Sequence, residues 1–178
     1  MSKLRPPVGP DDHALGNATA LVTLVEYGDY ECPHCGHAHP IVKRVLRRLG
    51  AGVRFVFRNF PLGEMHPHAV LAAEAAEAAG LQDEFWRMHD QLFEHQDALE
   101  REDLVGYAKE LGIDSARFER DLDRDAIEER VRSDFASGVR SGVNGTPTFF
   151  INGTRFDESW DEESLVAALS SASQTRSR

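Results

Sequence analysis

The chain has 178 residues, of which 41% are hydrophobic and 28% charged, the proportions of a globular domain with enough apolar material for its own core. That balance excludes wholesale disorder and a small disulfide-stapled scaffold. A net charge of −10 at pH 7 makes nucleic acid and anionic membrane surfaces poor partners, since both repel an acidic protein.

Residues 1–16 read as an N-terminal extension, because Pro6, Pro7, Pro10, Asp11 and Asp12 crowd it and no signal-peptide core is present. No later stretch approaches the ~20 apolar residues of a membrane span, so a cytoplasmic location without a membrane span is expected. Leu21–Tyr27 is a β-rich run closed by Gly28 and Asp29, which predicts a buried strand. After Cys32, the residues Ile41, Val42, Val45, Leu46 and Leu49 recur at helical spacing until Gly50. Val53–Phe57 is a second strand, and strand, helix and strand in that order predict a βαβ unit.

From about Pro61 to Gly142 the β signal vanishes and four or five amphipathic helices are predicted. Pro67 suits a first helical position and Gly80 a stop, so His66-Pro67 reads as a helix start. Phe85, Trp86 and Phe93 are expected in the core of this block, with His66, His68, His89 and His95 mostly at its surface or at caps. The block holds 20 acidic and 9 basic residues, which the solvated faces of surface helices account for. Thr148–Ile151 and Thr154–Phe156 then predict a hairpin around Asn152-Gly153. Ser159 with Glu162 is a capping-box signature for a last helix through about Leu169, and the residues after it read as a frayed tail.

The only two cysteines are Cys32 and Cys35. A disulfide across so short a loop stabilises little, so chemistry is the better explanation. Placed between strand and helix, Cys32 meets unsatisfied N–H groups and the positive end of the helix dipole, which favour its thiolate. Pro33 fits the first turn, where its missing N–H costs nothing, and His34 can add a cation or a donor. Cys32 is then the exposed nucleophile and Cys35, one turn on, the buried resolving thiol. A competing reading groups Cys32, Cys35, His37 and His39 as metal ligands. Structural zinc, however, usually draws its ligands from two separate loops, and no second cysteine pair exists.

The run Val25-Glu26-Tyr27-Gly28-Asp29-Tyr30-Glu31-Cys32-Pro33-His34-Cys35, taken with Gly145-Thr146-Pro147-Thr148-Phe149-Phe150-Ile151-Asn152-Gly153, resembles the DsbA-like branch of the thioredoxin superfamily. The resemblance spans about residues 17–170. It implies an α/β thioredoxin fold, βαβ and ββα around a central mixed sheet, with an inserted all-helical subdomain. In those terms 17–60 and 143–171 form a discontinuous thioredoxin-like domain, 61–142 the helical insertion and 172–178 a flexible tail. It implies thiol–disulfide oxidoreductase activity on protein or peptide thiols and disulfides, recycled by an unidentified redox partner. No dissociable cofactor and no metal are needed, since the redox equivalents reside in the cysteines. Pro147 matches the family's cis-proline, Thr146 the residue before it at the substrate side, and Glu26 the buried acid that relays a proton for Cys35, with Arg58 a candidate partner for Glu26. Two alternatives stay open: a cytosolic reductase or isomerase recycled by a low-molecular-weight thiol, and a redox-sensing or metal-binding CxxC module.

Overall fold

The computed structural model describes residues 2–176. Its elements in chain order are β1 (His13–Leu15), β2 (Val22–Gly28), α1 (Pro33–Leu49), β3 (Val53–Asn59), α2 (Ala69–Gly80), α3 (Phe85–Glu94), α4 (Arg101–Leu111), α5 (Ser115–Leu122), α6 (Asp125–Arg140), β4 (Thr148–Ile151), β5 (Thr154–Phe156) and α7 (Glu162–Arg176). The strands form one mixed sheet in the order β1-β3-β2-β4-β5. This is the α/β arrangement expected.

The sheet belongs to a compact unit made of the residues up to Gly28, His37–Arg58 and those from Ser137 on. Val22, Leu24, Val25 and Tyr27 of β2 and Val56 and Phe57 of β3 are fully buried, which is why both strands read as continuous apolar runs. β4 runs antiparallel to β2 and sets Val25 opposite Phe150 and Glu26 opposite Phe149. The β4–β5 turn has positive φ at both Asn152 (48°) and Gly153 (77°), the twist-matched hairpin turn that Asn-Gly favours.

The N-terminal segment is bonded into the sheet unit. β1 pairs antiparallel with β3, Leu4 is buried, and the Leu4 N–H donates to the Gly153 carbonyl at 2.9 Å. Arg58 explains the attachment. Its guanidinium grips Asp12 through two bonds (2.7 and 2.9 Å) and donates to the carbonyls of Pro6 and Pro7 and to the Tyr27 hydroxyl. Arg58 is therefore not the partner of Glu26. Helix α7 also departs from expectation at both ends. Its cap is Asp161, which accepts the Ser164 N–H at 3.0 Å, while Ser159 donates its hydroxyl to Asp161. At the other end the helix continues to Arg176, so 172–176 are helical and 177–178 lie outside the described residues.

A second compact unit comprises Asp29–Gly36 and Asn59–Ala136. Its helices are α2 to α5 and most of α6, and α2 starts at Ala69, after Pro67. Seven alanines of α2 are buried, and these small side chains let α3, α4 and α5 pack against it. Asn59 ties the entry of this unit together. Its backbone N–H donates to Asp134 (2.9 Å) and its side-chain amide to Glu77 (2.7 Å), while Arg130 pairs with Asp134 at 2.7 Å. Phe85 and Phe93 are buried, Trp86 only half-buried.

Candidate active site

The second unit contains both cysteines. Helix α1 begins at Pro33, and the Gly36 N–H donates to the Cys32 carbonyl (3.0 Å), which puts Cys32 at the N-cap, where the first N–H groups of a helix have no carbonyl partner within the helix itself. Neither cysteine is in a disulfide. Cys32 is only 4% exposed and Cys35 0%, so Cys32 is the more accessible of the two, although far less open than expected. Pro33 and His34 are exposed.

Asp29 organises the loop. Its carbonyl accepts the Cys32 N–H (3.2 Å) and its own N–H donates to Cys35 Sγ (3.5 Å). Its buried carboxylate accepts from the N–H groups of Glu31 (2.8 Å) and Leu62 (2.9 Å) and lies 2.8 Å from His66 Nδ1. Next along the chain, Tyr30 places its hydroxyl 3.0 Å from His89 Nδ1 and its ring against Phe93; His89 is thus buried, not a surface residue. Glu31 accepts the His68 N–H at 2.6 Å and lies 2.8 Å from His68 Nδ1. Gln96 closes the arrangement by donating its amide to the carbonyls of Tyr30 (2.7 Å) and Cys32 (2.9 Å). Gly36 is glycine for this reason: a Cβ there would stand 1.9 Å from Gln96 Oε1.

Asp29, His66 and Gln96 were missed in the sequence. Asp29 read as a strand terminator and His66 as a helix start, and a glutamine in a polar stretch carries no signal of its own. His37, weighed as a metal ligand, sets its ring edge against Trp160 (5.7 Å).

Glu26, Thr146 and Pro147 belong to the sheet unit. Glu26 is 2% exposed with Oε1 unbonded, and burial pushes its pKa up to about 8. The Thr146–Pro147 peptide is cis. Thr148 Oγ1 donates to the Gly145 carbonyl at 2.7 Å, bracing the turn before β4.

A family model described as Thioredoxin matches residues 9–171. Among solved structures, a thioredoxin-like oxidoreductase from Silicibacter pomeroyi DSS-3 is 27% identical, with a TM-score of 0.83 over 93% of this chain and 94% of that one. BdbD from Bacillus subtilis is 25% identical, with a TM-score of 0.81 over 92% and 93%. A curated relative named Na(+)/H(+) antiporter NhaA 1, from Salinispora arenicola, is 48% identical over 93% of this chain but 26% of its own length. The chain therefore spans about a quarter of the curated relatives it matches.

Proposed function

Because the chain belongs to the thioredoxin family, we propose that it is a thiol–disulfide oxidoreductase that exchanges its Cys32–Cys35 pair with cysteines of protein or peptide substrates. The observation that carries this reading is the placement of Cys32 at the N-cap of α1, one turn ahead of a buried Cys35. The N-terminal N–H groups of the helix and its dipole favour a thiolate at Cys32. That thiolate attacks a substrate disulfide and forms a mixed disulfide. Cys35 then attacks Cys32, releasing the reduced substrate and leaving the Cys32–Cys35 disulfide. The reverse sequence oxidises a substrate dithiol.

In this reading Pro33 keeps the first turn helical without wasting a donor, and His34 is an exposed imidazole between the two cysteines in the chain. Thr146 and Pro147 present the substrate backbone, and Glu26 relays a proton for Cys35; both assignments rest on the resemblance of their sequence context. The antiport named for the longer relatives is not part of the proposal. Among the described residues no helix is long and apolar enough to cross a membrane.

Insulin reduction by the purified chain tests the proposal. Cys32→Ser is expected to abolish turnover, and Cys35→Ser to accumulate mixed disulfides visible on non-reducing gels. Equal residual activity in both variants, or stoichiometric zinc bound by the two thiols, would overturn it.

A further inference from the structure

We infer that the Asp29–His66 pair is the proton partner of the Cys32–Cys35 couple: reducing the disulfide loads a proton onto His66, and oxidising the dithiol releases it. This rests on the exchange reading above.

The geometry begins with Asp29. Its side chain has no exposure, and its carboxylate is held by two backbone N–H groups before His66 arrives as the third donor. A carboxylate can only accept, so the bond at 2.8 Å fixes the hydrogen on Nδ1. That leaves Nε2 as the titrating position of a ring that is itself only 16% exposed. A carboxylate that fixes the tautomer and orientation of an imidazole is how nucleophilic enzymes ready a base, and the charge of Cys32 acts on this one. The backbone of the same Asp29 bonds to Cys32 and to Cys35 Sγ, so the imidazole and both thiols are referred to one rigid residue. His34, by contrast, is exposed on the helix surface.

The charges agree with the geometry. The groups that face His66 are Asp29, Cys32 and Glu31; Glu31 is shared with His68, which reaches on to Glu100. Burial is the largest single influence on His66 and lowers its proton affinity. The bond to Asp29 and the charges of Asp29, Cys32 and Glu31 together outweigh it and hold His66 above the ordinary 6.5. If the Cys32 thiolate raises the proton affinity of His66, a protonated His66 must stabilise that thiolate by the same factor. Oxidation to the disulfide removes the Cys32 charge and with it that part of the hold on the proton, while the Asp29 bond remains.

The reaction balances. A substrate dithiol gives two electrons and two protons, and becomes a disulfide. The Cys32–Cys35 bond breaks and leaves a Cys32 thiolate and a Cys35 thiol. One substrate proton ends on Cys35 and the other on His66.

The test is an NMR titration of the His66 ring in the intact chain, fully reduced and fully oxidised, across pH ~5–9. The resonance is assigned in the wild-type protein by correlation to the His66 backbone signals. The expected result is a higher titration midpoint in the dithiol form, with Cys32→Ser, which lacks the thiolate, titrating near the midpoint of the oxidised wild type. In His66→Gln, alkylation of Cys32 at pH ~6 should slow roughly fivefold, and the pH dependence of the reduction potential should lose one inflection. The same midpoint in both redox states, in a protein whose cysteines cycle normally in glutathione buffer, would overturn the inference. A protein whose cysteines form no reversible disulfide would instead overturn the exchange reading. The wild-type titration needs no variant, so a misfolded His66→Gln protein cannot mask the answer.

Discussion

Gln96 holds Cys32 by its backbone: the side-chain amide donates to the Cys32 carbonyl at 2.9 Å and to the Tyr30 carbonyl at 2.7 Å. A loop that must keep one sulfur at a helix N-terminus is thereby pinned from a residue 64 positions away. Gln96→Ala should leave both carbonyls without that donor and cost ~1–3 kcal/mol of stability. Amide exchange should rise across residues 30–36. Gly36→Ala is expected to have the same local effect, because its Cβ displaces the Gln96 amide. If hydrogen exchange of the loop is unchanged in both variants, Gln96 does not restrain it.

The two thiols differ in access and bonding. Cys32 retains 4% exposure, while Cys35 has none and its sulfur accepts the Asp29 N–H. Brief treatment of the reduced protein with iodoacetamide should therefore label Cys32 first. Mass mapping reads the ratio directly. Preferential labelling of Cys35 would reverse the roles of nucleophile and resolving thiol.

What the sequence disclosed, and what it hid, follow from the range of the interactions. β2, β3 and the Asn152-Gly153 hairpin were legible because local apolar runs and turn residues dictate them. β1 was not: His13–Leu15 has no alternation of burial and exists because Arg58 on β3 reaches back to Asp12. The cap of α7 moved from Ser159 to Asp161 because a carboxylate two residues nearer the helix meets the Ser164 N–H. At the site, the Cys-Pro-His-Cys spacing announced itself, whereas Asp29–His66 joins a strand stop to a helix start 37 positions away. Long-range polar pairs leave no periodicity to read.

The Arg58–Asp12 pair makes a prediction about the N-terminal segment. Both side chains are buried, at 3% and 7% exposure, so removing the acid leaves an uncompensated cation in the core. Asp12→Ala should cost ~3–5 kcal/mol in urea unfolding. Protection of the β1 amides should fall with it, since that strand is held at the edge of the sheet. A loss below ~1 kcal/mol would mean that the pair behaves as a solvent-screened surface contact.

Glu26 makes the stability of the fold depend on pH with a definite sign. Its carboxyl is buried on β2 with no cation among the causes of its shift, and burial alone raises it from 4.5 to about 8. Below pH ~4.5 the acid is neutral folded and unfolded, and nothing is lost. As pH climbs from 4.5 toward 8, the unfolded chain ionises while the folded one keeps its proton, so stability declines across that window. The full penalty, reached above pH ~8, is on the order of 4–5 kcal/mol at 1.36 kcal/mol per unit. Glu26→Gln cannot ionise and should flatten this decline. Near pH ~4.5 it should be no more stable than wild type, because its amide brings donors into a dry site; near pH ~8 it should be the more stable protein. The two stability curves, measured by urea unfolding of the oxidised forms, are therefore expected to cross. Parallel curves would show that Glu26 stays ionised in the fold, and would remove the neutral carboxyl that a proton relay to Cys35 requires.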